Sequence, residues 1–176
     1  MSPTIIHAST PAELEQIGAL FREYADTPEY DASFAESLTI QDFARELAEL
    51  PGVYAPPAGR LLLALVDGEP AGCVALKALD ADDVCEMKRL YVRPAFRSLG
   101  LGRVLIEALL AEARAAGYHV MRLDTLSEMR AAQRLYRDLG FYEIPPYSEP
   151  SVAGALFFER RLDAPPRSGS PTMPAA

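Results

Sequence analysis

The first half of the chain carries apolar residues at helical spacing. A capping box with proline at the first helical position, at residues 10–13, predicts a helix from residue 11 to about Tyr24. Its apolar face comprises Leu14, Ile17, Leu20 and Phe21. A second capped segment begins at Thr39 and ends at Pro51-Gly52, which predicts a second helix. The segment 26–37 between these helices is predicted to be a loop.

Strand-like runs dominate the rest of the pattern. Residues 61–66 and 71–79 are joined by Asp67-Gly68, which favours a tight hairpin turn because both positions tolerate positive φ. Further strands are predicted at 4–7, 84–92, 118–125, 141–144 and 155–162. Two amphipathic helices, 101–116 and 131–139, end at glycines. The order of these elements predicts an α/β domain with a mixed sheet covered by helices.

Length and composition fit a single globular unit. The 176 residues, 49% apolar and 24% charged, predict one domain over residues 1–162 with a disordered tail at 163–176. The chain has no apolar run of about 18 residues and no basic-then-apolar N-terminus, which predicts a soluble cytoplasmic protein without a membrane partner. Cys73 and Cys85 predict buried thiols in strands rather than a disulfide scaffold or a zinc finger.

The charge is acidic overall and unevenly distributed. A net charge of −8 argues against a nucleic-acid partner, because such proteins need surplus lysine and arginine to displace counterions. Residues 1–83 hold 15 acidic and 4 basic side chains, a balance of −11, whereas residues 84–176 hold 10 and 13, a balance of +3. This asymmetry fits an anionic ligand on the second half and a cationic one near the first. Solvated helix faces explain it equally well.

The segment Arg97-Ser98-Leu99-Gly100-Leu101-Gly102-Arg103, here named the glycine turn, lies between an apolar strand and a long helix. Two glycines one residue apart let the backbone turn onto a helix start, where unpaired N–H groups and the helix dipole attract an anion. The glycine turn therefore predicts a phosphate cradle. The alternative is an ordinary strand-to-helix turn with two solvated arginines.

Two common phosphate-binding motifs do not fit. A P-loop requires Lys-Ser or Lys-Thr after its second glycine, and neither pair follows Gly100 or Gly102. A dinucleotide fingerprint requires a third glycine where Leu105 stands. The turn therefore belongs to another class of site.

Three motifs together resemble the GNAT superfamily of acyl-CoA-dependent N-acetyltransferases. They are Leu90-Tyr91-Val92-Arg93-Pro94, then Arg97-x-x-Gly100-x-Gly102 before a helix, and Ala132-x-x-Leu135-Tyr136-x-x-x-Gly140-Phe141. Their order, spacing and predicted secondary structure all agree with that superfamily. The superfamily usually has glycine or asparagine where Ser98 stands and a basic residue where Leu99 stands. These two departures shift the expected phosphate contacts toward backbone N–H groups.

The resemblance implies a fold and an activity. It implies a mostly antiparallel sheet of six to seven strands, with about four helices and a splayed parallel pair formed by the fourth and fifth strands. Helices at about 11–50 would face the acceptor, and residues 84–141 would bind the coenzyme. The implied reaction moves an acetyl group from acetyl-CoA to a primary amine of a small molecule or peptide, by direct attack in a ternary complex without a metal. A monomer or a homodimer is expected.

The resemblance also assigns roles to residues. The glycine turn would hold the CoA pyrophosphate, and backbone groups of Leu90 and Val92 would pair with pantetheine and polarise the thioester at a bulge. Tyr136 would protonate the departing thiolate. Periodicity alone makes Tyr136 a core residue, because it shares a helix face with other apolar side chains.

An amine must lose a proton before it can attack, and Glu86 is the candidate general base. Strand alternation predicts Glu86, Lys88 and Leu90 on one face of the sheet and Met87, Arg89 and Tyr91 on the other, unless a bulge breaks the alternation. The alternative for Glu86 is a cross-strand pair with a basic residue.

The acceptor site and the alternative function stay open at this point. The candidates to line the acceptor pocket are Tyr24, Tyr30, Asp31, Glu36 and Tyr147. For most of them, an ordinary loop or surface position is the simpler interpretation. The alternative function is a noncatalytic acyl-CoA-binding or sensory domain with the same fold. Tyr136 favours the enzyme.

Overall fold

One seven-stranded sheet organises the chain in the computed structural model, which describes residues 2–27, 32–40, 42–148 and 152–163. Its strands are β1 (Pro3–His7), β2 (Arg60–Val66), β3 (Glu69–Ala78), β4 (Val84–Val92), β5 (Val120–Leu126), β6 (Tyr142–Ile144) and β7 (Ala155–Arg161). They lie in the order β1-β2-β3-β4-β5-β7-β6, and among these described strands only β4 and β5 are parallel neighbours. The mostly antiparallel sheet with a parallel fourth and fifth strand is confirmed.

Within the described residues, five α-helices cover this sheet, where about four were expected. They are α1 (Pro11–Ala25), α2 (Ala32–Ile40), α3 (Phe43–Ala48), α4 (Leu101–Ala115) and α5 (Arg130–Asp138). Short 3-10 helices occupy Gly52–Tyr54 and Pro94–Leu99. The capping box of α1 forms as predicted, since Thr10 and Glu13 each accept a hydrogen bond from the other's backbone N–H. No helix within the described ranges is long and apolar enough to cross a membrane.

The structure corrects the prediction for the segment after α1. Residues 32–37, predicted as loop, belong to α2, whose Phe34 and Leu38 are buried against Leu126 and Val152. Tertiary packing thus forms a helix that no capping signal announces. The single helix predicted from Thr39 is divided as well, because Asp42 takes a left-handed φ of 55° that a continuous helix does not allow.

The sheet separates two apolar layers. Buried leucines of α4 pack with one set of strand residues, and the same layer includes Tyr136 of α5. Ile17, Leu20 and Phe21 of α1 pack with the opposite set, which includes Cys73 and Tyr91. Both cysteines are free and buried in strands, as predicted. Burial raises the pKa of the Cys85 thiol to about 12.

β4 and β5 stay paired over only part of their length. Their register runs from Val84 opposite Val120 to Glu86 opposite Arg122, and then the pairing stops. β4 continues to Val92 and β5 to Leu126, while β5 keeps its antiparallel partner β7 throughout. Within the described residues, the β4 edge beyond Glu86 therefore has no strand partner on this side. The two strands diverge and leave a wedge-shaped cleft between them.

Candidate active site

The cleft between the diverging strands is lined from both layers of the molecule. Side chains of α1 and α2 line it on one side of the sheet, and side chains of α5 line it on the other. The helical contributors are Tyr24, Phe34, Ser37, Leu38, Ala132 and Tyr136. The main polar contributors from the strands are Lys88, Arg89, Asp124 and Thr125. The cleft thus connects the two faces of the sheet.

A β-bulge interrupts β4 beside this cleft. Val74 of β3 lies opposite two residues of β4, Arg89 and Leu90, because the pairing register shifts by one at this point. Arg89 has a φ of 60°, in the left-handed region that residues other than glycine seldom adopt. The bulge therefore turns the backbone of Arg89 and Leu90 out of the regular ladder.

The bulge also reverses the side-chain alternation of β4. Met87 and Leu90 pack in the same apolar layer, on the α4 side, whereas Tyr91 belongs to the α1 side. The prediction that Glu86, Lys88 and Leu90 share one face is therefore wrong beyond Lys88. One extra residue in the strand shifts every later side chain to the opposite face.

Arg89 is held by a buried ion pair with α3. Its side chain is 3% exposed, and its Nε donates to Oε2 of Glu46 at 2.8 Å. The Tyr54 hydroxyl donates to the other Glu46 oxygen at 2.5 Å, and the guanidinium lies 5.0 Å from the centre of the Phe43 ring. Burial alone would lower the pKa of Arg89, but the hydrogen bond to Glu46 and the charge interactions with Tyr24, Tyr54 and Glu46 together outweigh it, so the pKa is raised. The bulge is thus anchored to α3.

The glycine turn forms the start of α4. A 3-10 helix ends at Leu99, Gly100 takes a φ of 68°, and α4 begins at Leu101 without a side-chain cap. The first N–H groups of α4 have no intrahelical acceptor and point outward. A Cβ on Gly100 would meet nothing within 4 Å, and one on Gly102 would lie 3.3 Å from Leu135 Cδ2. These glycines therefore leave room for an anion close to the backbone, and the phosphate cradle remains a prediction.

The two arginines of the glycine turn have different surroundings. Arg97 Nε donates to the carbonyl of Val92 at 3.0 Å, at the end of β4, and its guanidinium lies over the Tyr91 ring. Arg103 is half-exposed and lies 3.9 Å from Glu107 and 3.8 Å from Asp138. Surface pairs of this length hold a side chain weakly, which leaves Arg103 able to reorient toward an anion.

Tyr136 on α5 is both a core residue and a lining residue of the cleft. It is 7% exposed, and its ring packs 5.9 Å from Phe141 and 6.2 Å from Phe158. It also lines the cleft from the α4 side of the sheet. Its role as a proton donor remains a prediction.

Glu86 is buried within a polar cluster behind the cleft. Only 4% exposed, it accepts a hydrogen bond from the Tyr147 hydroxyl at 2.5 Å. Lys88 Nζ lies 3.3 Å and Lys77 Nζ 3.6 Å from its other oxygen, and Lys77 is its cross-strand neighbour. Burial, followed by the nearby Glu86 carboxylate, raises the pKa of Tyr147. The cross-strand pair considered above is present, and the role of general base remains a prediction.

One polar contact of the cleft was missed from the sequence. Lys88 Nζ on β4 lies 3.0 Å from Asp124 Oδ1 on β5. Burial opposes the charge of Lys88, but Asp124 and Glu86 together outweigh it, so the pKa of Lys88 is raised. The two residues are 36 positions apart, and only the parallel pairing of β4 and β5 brings them together. Polar residues alternating with buried ones at Arg122 and Asp124 were the available signal.

The remaining candidates for the acceptor pocket are scattered. Tyr24 lines the cleft and packs edge-on against Phe34, with ring centres 5.1 Å apart. Glu36 is exposed on α2 and is not among the lining residues, while Tyr147 lies behind Glu86. Tyr30 and Asp31 lie outside the described residues. Among residues that are described, no group of three or more His, Cys, Asp or Glu side chains is placed to hold a metal ion.

Comparison with known proteins agrees with this geometry. The sequence profile of the Acetyltransferase (GNAT) family matches residues 16–141. This chain belongs to the GNAT family. An N-acetyltransferase of Schizosaccharomyces pombe is 35% identical over 92% of this chain and 98% of that protein. The N-acetylaspartate synthetase of Rattus norvegicus is 31% identical over 66% of this chain and 42% of that protein.

A solved structure supports the fold of this GNAT enzyme. The PaiA N-acetyltransferase of Thermoplasma acidophilum, in complex with coenzyme A, superposes with a TM-score of 0.71. The two chains are 19% identical, and the match covers 92% of this chain and 99% of that one. By its family and its relatives, the chain is a GNAT-type N-acetyltransferase, and acetyl-CoA is the cosubstrate of that family. The unpaired β4 edge and the uncapped start of α4 fit that cosubstrate.

The anchoring of the bulge gives the first prediction. Glu46→Gln leaves the buried Arg89 charge without its carboxylate, which should lower the free energy of unfolding by about 3 kcal/mol. The displaced bulge should reduce kcat by about 10- to 100-fold. Chemical denaturation and steady-state kinetics measure the two effects. Glu49→Gln at the end of α3, whose partner Arg45 is exposed, should change neither, and equal effects of the two variants would contradict the anchoring role.

Proposed function

We propose that this enzyme transfers the acetyl group of acetyl-CoA to a primary amine of a small molecule or peptide, by direct attack in a ternary complex. The observation that carries the proposal is the two-sided cleft between β4 and β5. Tyr136 lines it from the α5 side, and the charged pair Lys88 and Asp124 lines it from the opposite face. An amine can enter from one face while the thiol leaves toward the other.

The coenzyme would be held largely by backbone groups. The unpaired edge of β4 beyond Glu86 supports pairing of Leu90 and Val92 with pantetheine, in the manner of an added strand. The N–H groups at the start of α4 and the side chains of Arg97 and Arg103 would bind the pyrophosphate. The backbone from Ser98 to Leu101 would shape that contact.

The bulge would polarise the thioester. Since Arg89 and Leu90 leave the regular ladder, we assign to the Leu90 N–H the hydrogen bond to the thioester oxygen. When bound, acetyl-CoA supplies an acetyl group whose C–S bond breaks as the new C–N bond forms. Tyr136 would donate its hydroxyl proton to the departing sulfur.

The amine must also lose a proton. The cluster of Glu86, Lys88 and Asp124 supplies the carboxylates for this step. Glu86 is the candidate that the sequence offers, and Asp124 shares Lys88 with it. Both lie on the face of the sheet opposite Tyr136, where the acceptor would enter.

The walls on the acceptor side favour a small amine. Tyr24, Phe34 and Leu38 form an apolar boundary close to Asp124. The relative named N-acetylaspartate synthetase makes, by its name, an N-acetylated amino acid, which supports an acceptor of similar size. A thiol-release assay with a panel of simple alkylamines, amino acids, polyamines, aminoglycosides and peptides tests this proposal. Release of CoA that depends on none of these amines would contradict it.

Tyr136→Phe tests the proton donor. The substitution keeps the ring that packs on Phe141 and Phe158, so stability and coenzyme affinity should change little. Because the departing thiolate loses its proton source, kcat should fall by about 10²-fold or more on the best amine of the panel. Wild-type turnover by this variant would mean that Tyr136 is only a core residue.

Gly102→Val tests the cradle. A valine side chain at the start of α4 would meet Leu135 and block close approach of a phosphate to the backbone. We expect the Kd for CoA in calorimetry to rise at least about tenfold, which corresponds to about 1.4 kcal/mol. Ala111→Val, at an exposed position of the same helix, controls for helix propensity and should leave affinity unchanged. Equal affinities of the two variants would place the pyrophosphate elsewhere.

A further inference from the structure

The cleft holds a single carboxylate among its described lining residues, and that residue is Asp124. Its side chain leaves β5 beyond Arg122, where the pairing with β4 has already ended, and it is 22% exposed. Glu86, in contrast, is 4% exposed and does not line the cleft. A group that takes a proton from a substrate must reach it directly or through one water. Asp124 lies at the cleft wall, where an acceptor can reach it, whereas Glu86 lies behind that wall.

Lys88 contacts the Asp124 carboxylate through one of its two oxygens. Lys88 Nζ lies 3.0 Å from Oδ1 and thereby fixes the carboxylate at the cleft wall. Among the described residues, Lys88 is the donor to this carboxylate, and it reaches Oδ1. Both oxygens of Glu86 have partners: Tyr147 donates a hydrogen bond to one, and Lys77 and Lys88 lie beside the other. Its contacts hold Lys88, which in turn holds Asp124.

Asp124 also lies on the correct face of the sheet. Its neighbour in the strand, Leu123, packs in the apolar layer on the α4 side, together with Tyr136. Strand alternation therefore places Asp124 on the opposite face, toward α1 and α2. Asp124 and Tyr136 line one cleft from two sides, as required when the amine enters on one side of the thioester and the thiol leaves on the other.

We propose that Asp124 is the catalytic residue that binds the acceptor ammonium and accepts its proton, and that Glu86 is a positioning residue acting through Lys88. This inference rests on the proposed function. Asp124 takes one proton from the ammonium, which frees the nitrogen lone pair to form the C–N bond as the C–S bond breaks. The nitrogen sheds a second proton after attack, and this proton replaces the one that Tyr136 gives to the thiolate. Asp124 then releases its proton to water.

The test compares two amines of similar size that differ in protonation. Ethylamine is protonated at neutral pH, whereas the fluorines of 2,2,2-trifluoroethylamine withdraw electrons and leave that amine neutral. For Asp124→Asn we expect kcat/KM with ethylamine to fall by about 10²-fold or more. With trifluoroethylamine the loss should stay below about tenfold, because that amine is already neutral and has no proton that must leave before attack. The KM for acetyl-CoA should not change.

Three further variants separate the proposal from a structural effect. Glu86→Gln disturbs the placement of Lys88 and, through it, of Asp124, so it should lower kcat/KM more for ethylamine than for trifluoroethylamine, but by a smaller factor than Asp124→Asn does. Asp82→Asn makes the same chemical change in an exposed turn and should have no effect. Asp124→Glu retains a carboxylate beside Lys88, so it should fold if the asparagine variant does not. Its displaced oxygen should again harm ethylamine more than trifluoroethylamine.

The contradicting results are distinct. If Asp124→Asn lowers kcat/KM equally for the two amines, or not at all, the proposed role of Asp124 is wrong, but the proposal that the acceptor is an amine still stands. If Glu86→Gln shows the loss specific to ethylamine and Asp124→Asn does not, then Glu86 rather than Asp124 accepts the proton of the ammonium. Wild-type enzyme that acetylates no amine of the panel overturns the amine acceptor itself, and Asp124 with it.

Discussion

The site depends on the early separation of two parallel strands. β4 and β5 stay paired through only three residue positions, and each then follows a different neighbour, β3 or β7. Elsewhere in the sheet, an unpaired edge next to the core would be a liability, because its N–H and C=O groups lack partners. Here the open edge faces a cleft that a strand-like cosubstrate can fill. The same gap brings Tyr136 and Asp124, from opposite faces, to one space.

The bulge in β4 links this gap to the helices above it. Arg89 adopts a left-handed φ and buries its charge, both of which are unfavourable unless the surroundings compensate. Glu46 on α3 compensates the charge, and Phe43 and Tyr54 complete the contact. α3 is therefore coupled to the strand backbone that would polarise the thioester. In the proposed mechanism, a short helix with no fully buried residue of its own thus contributes to the chemistry.

The sequence predicts the helices and strands better than it predicts the contacts between them. The hairpin at Asp67-Gly68, both at positive φ, and the helix starting at Leu101 follow from local turn chemistry and were predicted correctly. α2 was missed, because its formation depends on burial of Phe34 rather than on local signals. The face reversal after Arg89 and the contact between Lys88 and Asp124 arise from strand pairing, which a single sequence does not encode locally.

In the proposed binding mode, acetyl-CoA pairs with the open edge of β4 and binds the N–H groups at the start of α4. Hydrogen–deuterium exchange of the wild-type enzyme, with and without CoA, tests it most directly. We expect CoA to slow exchange of amides in residues 87–92 and 101–103, because those N–H groups gain acceptors. Exchange at β1 and β2 should not change. Unaltered exchange in both segments, or protection confined to other elements, would contradict the account.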